Sequence, residues 1–411
     1  MGDVRMKICF LVGSMTISGG TYVIVQHASY LRDHSYDVTL AVQEPFTAAT
    51  LAWHNEASRL HCVPIEDAKR ERFDLVIATW WKTALELPAF DADRYAYFVQ
   101  SIESRFYPEV EVPLRALVDS TYRLPVRYIT EATWIKAHLQ TAYGQDAALV
   151  KNGIRKDVYD TAGPTLAQRN PKRPRVLVEG HFGVAFKNTA LAIRLAREAG
   201  AKDIWLLTGS PVKWVPGVSK VFSRVPMVKT AEIYRSCDIL IKLSTVEGMF
   251  GPPLEIFHCG GTSVVFDVTG HDEYIVHNEN AHVVPAGNLD GVVASIRTLL
   301  NDSGELSRLK QGALNTARNW PSWSESSAQF ADWVRSCFDE PAVSRETCAA
   351  IVADAWSVYG RDEKLRLANI ASSVRRQKLR SLAGRLPAEW ARRLKQFEAV
   401  GEVLIGKRKA Y

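Results

Sequence analysis

The 411-residue chain has no apolar run approaching the roughly 20 residues that a membrane-spanning helix needs. It has no H-E-x-x-H, no D-x-D flanked by strands and no Cys/His cluster, so neither a metal nor another cofactor is expected. Its six cysteines (Cys9, Cys62, Cys237, Cys259, Cys337 and Cys348) show no C-x-x-C and no regular spacing. Most fall in apolar strands or helices, which suits buried thiols in a reducing compartment, and a cytoplasmic protein is the expectation. The N-terminal run KICFLVG is short and leads into a glycine loop, fitting a first strand rather than a signal peptide. No nucleic-acid-binding module is recognisable. Excess charge is missing from most of the chain. From Ser336 onward there are 15 Lys and Arg against 9 Asp and Glu, so the whole net charge of +6 resides in the C-terminal tail.

What is present is alternation. The composition, 47% hydrophobic and 23% charged, is that of a globular protein, and the length points to two or three domains. Strand-like runs alternate with helical patterns over the first 335 residues, which argues for stacked βαβ units and parallel sheets. KICFLVG reads as a strand, SMTISGG as a loop, TYVIVQHASYLRDH as an amphipathic helix and DVTLAV as the next strand. Further strands are expected at 75–78, 95–99, 127–129 and 148–150. The stretch DTAGPTLAQRNPKRP (160–174) is rich in Gly, Pro and charge and reads as a linker. The alternation then restarts with RVLVEG, IWLLTG, VSKVFS, DILIKLS and TSVVFDV. The expected division is a domain over 1–160, a linker over 161–174, a domain over 175–335 and a basic helical tail over 336–411.

The densest signal is STVEGMFGPPLEIFHCGGTSVVF, with Glu247 and Glu255 eight positions apart. The apolar run 237–244 reads as a strand, followed by a Gly/Pro loop, a helix over about 252–259 and a second strand over 262–266. Glu247 then sits where a strand ends and Glu255 on the first turn of the next helix. Both project toward the carboxyl edge of a parallel sheet, where open α/β sheets bind ligands. A carboxylate accepts two hydrogen bonds from a vicinal diol, so two such groups suit a ribose and a hexose. The loop and helix N-terminus (Met249, Phe250, Gly251) would offer N–H groups to a diphosphate.

EGMFGPPLE followed by CGGTSVVF resembles the signature of glycosyltransferase family 4, the retaining nucleotide-sugar transferases of GT-B fold. The resemblance implies an α/β protein with two Rossmann-like domains whose parallel sheets face each other across a cleft. It assigns Glu247 to the donor sugar and Glu255 to the nucleotide ribose, and it implies metal-independent chemistry. The loop departs from the family pattern at Met249-Phe250-Gly251. The family's first loop ends in a glycine pair, here Gly19-Gly20. Its diphosphate-binding lysine matches Lys187 in VEGHFGVAFKN, whereas the position of its arginine is His181. Either His181 donates a hydrogen bond, or another cation replaces the arginine, or activity is low. LVKNGIRKDVY (149–159) looks like the segment ending the N-terminal domain, and 317–334 is similar to the helix closing the C-terminal one.

On the acceptor side, many relatives carry a His where this chain has Gln100, with Glu103 and Arg105 just beyond. FVQ-x-x-E-x-x-FYP looks like the polysaccharide rhamnosyltransferase branch. Trp80 and Trp81 suit either a sugar platform or core packing, and His27 and His34 suit surface or packing positions. In the tail, GRLPAEWARRLKQFEAV fits a basic amphipathic helix with Trp390, Leu394 and Phe397 on one stripe. Such a helix suits an anionic membrane, the domain surface or a partner; peripheral membrane contact is the expectation. The functional expectation is a retaining hexosyl- or deoxyhexosyltransferase acting on a saccharide or lipid-linked acceptor. A nucleotide-sugar 2-epimerase and a catalytically impaired nucleotide-sugar-binding subunit are the competing readings.

Overall fold

The computed structural model describes residues 5–339 and 341–369, together with Gln396, Val400 and Gly401. The chain forms two compact units, one holding Met1–Gly153 and Pro321–Val374, the other built on Ile154–Trp320. No helix among the described residues is long and apolar enough to cross a membrane.

The first unit carries seven parallel strands: β1 (Lys7–Val12), β2 (Asp37–Val42), β3 (His61–Pro64), β4 (Arg72–Ala78), β5 (Asp91–Val99), β6 (Arg127–Thr130) and β7 (Ala147–Leu149), in the order β3-β2-β1-β4-β5-β6-β7. Side chains alternate between the faces of a strand. Ile8, Phe10 and Val12 therefore enter one core and Cys9 and Leu11 the other, which is why β1 reads as an unbroken apolar run. The helix Gly19–Asp33 follows β1, with the Ser18 side chain accepting from Thr21 N–H as its cap.

The second unit has six parallel strands: β8 (Val176–Glu179), β9 (Ile204–Thr208), β10 (Lys220–Ser223), β11 (Ile239–Lys242), β12 (Thr262–Asp267) and β13 (Ala281–Pro285), ordered β10-β9-β8-β11-β12-β13. This is the Rossmann strand order, and it reverses direction between β8 and β11. Val176, Val178, Ile239 and Ile241 pack on one face, Leu177 and Leu240 on the other. The expected GT-B class of two Rossmann-like parallel sheets is what the chain adopts.

The structure divides the chain differently from the sequence reading. Residues 160–174 are built into the second unit. Arg169 donates to the carbonyls of Tyr234, Cys259 and Gly260, and Leu166 N–H donates to Ser236 Oγ. The helix Trp323–Ser336, expected to close the second domain, belongs to the first unit. Its Trp323, Phe330 and Trp333 cover the Gly19–Asp33 helix and β1, and fully buried His27 stacks on Phe330 at 4.2 Å and bonds Ser327 Oγ at 3.0 Å. Its start is fixed by a capping box of Ser322 and Glu325. The tail is not a separate element either. The helix Arg345–Asn369 packs Cys348, Ile351 and Val352 beneath the first sheet. The amphipathic stripe expected around Trp390, Leu394 and Phe397 lies outside the described residues. All six cysteines are unbridged, five buried and Cys62 half-buried.

Candidate functional site

The strand ends β8 and β11 mark the switch point of the second sheet, and both end in a charge. Period 2 puts Glu179 on the face of Leu177 and Lys242 on that of Leu240, and β8 and β11 are direct neighbours. Lys242 Nζ donates to Glu179 Oε2 at 2.6 Å and lies 3.3 Å from Glu247 Oε1. The same Glu247 oxygen accepts from Lys187 Nζ at 2.6 Å. Two loops bring these residues together: Thr245 N–H donates to the Phe186 carbonyl at 2.8 Å, and Asn188 Nδ2 donates to the Leu243 carbonyl at 3.0 Å.

Burial opposes the Glu247 charge, but Lys187 and Lys242 outweigh it and bring its carboxyl down to about 2. Burial also works against Lys242, yet Glu179 and Glu247 raise it above the ordinary lysine value. Lys187 is lowered, first by burial. His181 reaches the same cluster. Its imidazole packs so closely on Gly209 that no Cβ fits there. Burial, then the nearby cations Lys187, Lys242 and Arg224, lower its pKa against the pull of Glu179, so it is neutral at physiological pH.

Glu255 lies on the helix Gly251–His258, which begins with Pro252 and Pro253 in its first turn and turns out through Gly260 at φ +76°. It sits in the same region as Glu247, with Glu179, Tyr234 and Tyr159 all close enough to act on its carboxyl. Burial raises its carboxyl to about 7, the tyrosines opposing and Glu179 adding to the rise. Phe250 is fully buried and Met249 is partly buried against the same core, so what this loop offers a diphosphate is its backbone. Pro252 and Pro253 carry no N–H, leaving Gly251 as the amide of the first turn; a Cβ at Gly251 would meet nothing within 4 Å.

In the first unit, Gly20 lies against Gln100, whose Oε1 is 3.3 Å from where a Gly20 Cβ would be; Gly19 opens onto unoccupied space. Gln100 and the Gly19-Gly20 helix start thus come together at the strand ends. Glu103 does not join them. It is 5% exposed, and its Oε2 accepts from Trp81 N–H at 2.7 Å and from Tyr97 OH at 3.2 Å. It is an internal polar anchor, because its backbone enters a 3-10 turn that points the side chain into the core. The Arg105 guanidinium lies over the Trp134 ring at 4.9 Å. Trp80 packs over Gly13, and Trp81 is buried.

Glu179 and Lys242 were missed from sequence. Their signals were a lone lysine closing the apolar run ILIK and a lone glutamate closing VLVE, each a charge at a strand's carboxyl end.

The geometry defines a GT-B fold with a charged centre at its second switch point. The structures it resembles include the sucrose-phosphate synthase of Thermosynechococcus elongatus (TM-score 0.64, 14% identity, 82% of this chain and 100% of that one). Another is Anabaena Alr3699/HepE, solved in complex with UDP and glucose (TM-score 0.65, 15% identity, 81% and 100%). Residues 216–316 match the family model described as glycosyl transferases group 1, so the resemblance read from EGMFGPPLE holds for the segment carrying Lys242, Glu247 and Glu255. The O-antigen biosynthesis protein RfbC of Myxococcus xanthus is 25% identical over 257 residues, 58% of this chain; these span only 19% of that relative's length.

Proposed function

We propose that this protein transfers a hexose or deoxyhexose, rhamnose among the candidates, from a nucleotide-diphosphate sugar to a saccharide or lipid-linked saccharide. Transfer proceeds with retention and without a metal, in glycoconjugate or polysaccharide assembly. The observation that carries this reading is the Lys187–Glu247 pair at the sheet's switch point, with Glu247 inside the group 1 segment. Glu247 holds the donor sugar, Glu255 accepts from the ribose diol, and Lys187 with the Gly251 N–H meets the charge that develops on the leaving diphosphate. His181 serves as a neutral hydrogen-bonding group beside it. The Gly19-Gly20 helix start serves the donor–acceptor junction, and Gln100 the acceptor side.

A thermal-shift screen against UDP-, GDP- and dTDP-sugars, followed by transfer assays in EDTA, tests this. Stabilisation by one nucleotide class and EDTA-resistant turnover with anomeric retention are expected. Donor epimerised without acceptor would replace the reading with an epimerase, and binding without turnover with a nucleotide-sugar-binding subunit. Membrane association through the basic tail belongs to the same proposal. Sedimentation with anionic vesicles should fall on removal of the last 30 or so residues, and equal sedimentation would remove that part.

A further inference from the structure

The same Glu247 oxygen is addressed by two lysines that differ in every other respect. Lys187 belongs to a three-residue 3-10 turn in a loop, and its side chain is 24% exposed. Lys242 is the last residue of β11, held in register between β8 and β12, and its side chain is 3% exposed. Glu179 holds Lys242 from the far side at 2.6 Å. A loop lysine can turn to a new anion at small cost. A lysine buried on a central strand and ion-paired behind cannot, since leaving its partner strands an uncompensated charge.

In the site without ligand, the charges of Glu179, Lys242, Glu247 and Lys187 cancel, and His181 adds none. An incoming diphosphate is doubly or more negative and competes with Glu247 for Lys187. If Lys187 were the sole counter-charge of Glu247, its departure would leave a buried carboxylate unpaired, and that carboxylate would take up a proton. With Lys242 in place, Glu247 keeps one cation throughout.

We propose that Lys242, anchored by Glu179, is a positioning residue that keeps Glu247 oriented and ionised, so that Lys187 can leave Glu247 for the donor's diphosphate. The inference rests on the transferase reading above. The other titratable groups facing Glu247 and its partners are His181 and Arg224 beyond β8 and β10, Glu255 on the following helix, and Tyr274. Among the described residues, Lys187 and Lys242 are the cations within ion-pair distance of Glu247, so Lys242 is the one that stays when Lys187 departs.

The test uses the full chain as wild type, K242Q, K242R and K242Q/E179Q, with two readouts. With saturating inorganic pyrophosphate, which competes with Glu247 for Lys187, the Glu247 carboxyl is followed by 13C NMR against pH and assigned with E247Q. Wild type and K242R should show no Glu247 titration down to about pH 5, whereas K242Q should show a midpoint above it. In steady-state transfer, K242Q should lose about 100-fold in kcat/KM, with the acid limb of the pH profile moved upward, and K242R should recover most of both. If K242Q does not fold, K242Q/E179Q is read in its place, because it removes the buried pair as a unit. A folded variant lacking Lys242 whose Glu247 titration and acid limb match wild type overturns the inference. Absence of transfer by wild type with every donor would instead overturn the transferase reading, and the NMR readout would still decide whether Lys242 holds Glu247 ionised.

Discussion

At the switch point of the first sheet, β1 and β4 end in Val12 and Ala78 and are followed by Gly13, under Trp80, and Thr79, with Gln100 after the neighbouring β5. At that of the second, β8 and β11 end in Glu179 and Lys242, and Lys187 and Glu247 follow. The same topology is thus finished with neutral and aromatic groups in one unit and with four compensated charges in the other. Two buried glutamates make the contrast quantitative. Burial raises Glu103 to about 8, with only a backbone N–H and a tyrosine opposing, whereas two lysines bring Glu247 down to about 2. Enclosure alone does not make a carboxylate reactive or inert; the cations enclosed with it decide its charge.

The largest expected effect lies at the charged end. Glu247→Ala and Lys187→Ala should each cut transfer by about 1,000-fold or more, with the fold retained by circular dichroism; turnover near wild type in either would erase the distinction between the units. Next comes Glu103→Gln. The Glu103 carboxyl titrates near pH 8 folded and near the ordinary 4.5 unfolded, so the unfolded chain ionises first as pH rises. Wild-type stability should therefore fall from about pH 4.5 to 8 and level off above. Glu103→Gln removes that loss, amounting to a few kcal/mol at about 1.4 kcal/mol per pH unit of separation. Urea denaturation at pH 5 and pH 9 measures it, and transfer at pH 7 should change less than about twofold; a large loss of activity would return Glu103 to the acceptor site.

Smaller effects sharpen the comparison. Glu255 titrates near 7, and its anionic form accepts two hydrogen bonds where the neutral form must also donate. Donor affinity by calorimetry should tighten about tenfold from pH 6 to 8, a change of about 1.4 kcal/mol, and Glu255→Gln should flatten the curve. The smallest effect is at Gly19. A Cβ there meets nothing, so the fold has no need of glycine. Gly19→Ala should leave stability unchanged or raise it by up to about 1 kcal/mol, while kcat/KM drops several-fold if a ligand approaches that backbone. Equal activity would show the glycine to be incidental.

Much of this was legible in the sequence because parallel strands buried on both faces leave unbroken apolar runs. DVTLAV is β2 residue for residue, and the strand–loop–helix–strand reading around EGMFGPPLE matches within one or two residues at each end. β3 and β13 were not read. β3, HCVP, is short and only half-buried, so its pattern is weak. The domain boundary failed because Gly and Pro density marks irregular backbone, and irregular backbone can be tied down by side chains such as Arg169. The pairing of Lys242 with Glu179 lies 63 residues apart in sequence and becomes visible only when β8 and β11 are set side by side. The fate of Phe250 was hidden for a related reason: Tyr274 OH, which holds its carbonyl at 2.5 Å, arrives from a later loop.

The return of Trp323–Ser336 to the first unit means that this unit cannot be cut out of the protein as one uninterrupted stretch. A fragment stopping at Trp320 would strip the indole rings from the Gly19–Asp33 helix and expose His27 and Phe10 to water. Any dissection by truncation would therefore report the damage done to that helix before it reported anything about sugar chemistry, and only a two-piece reassembly could separate the halves cleanly.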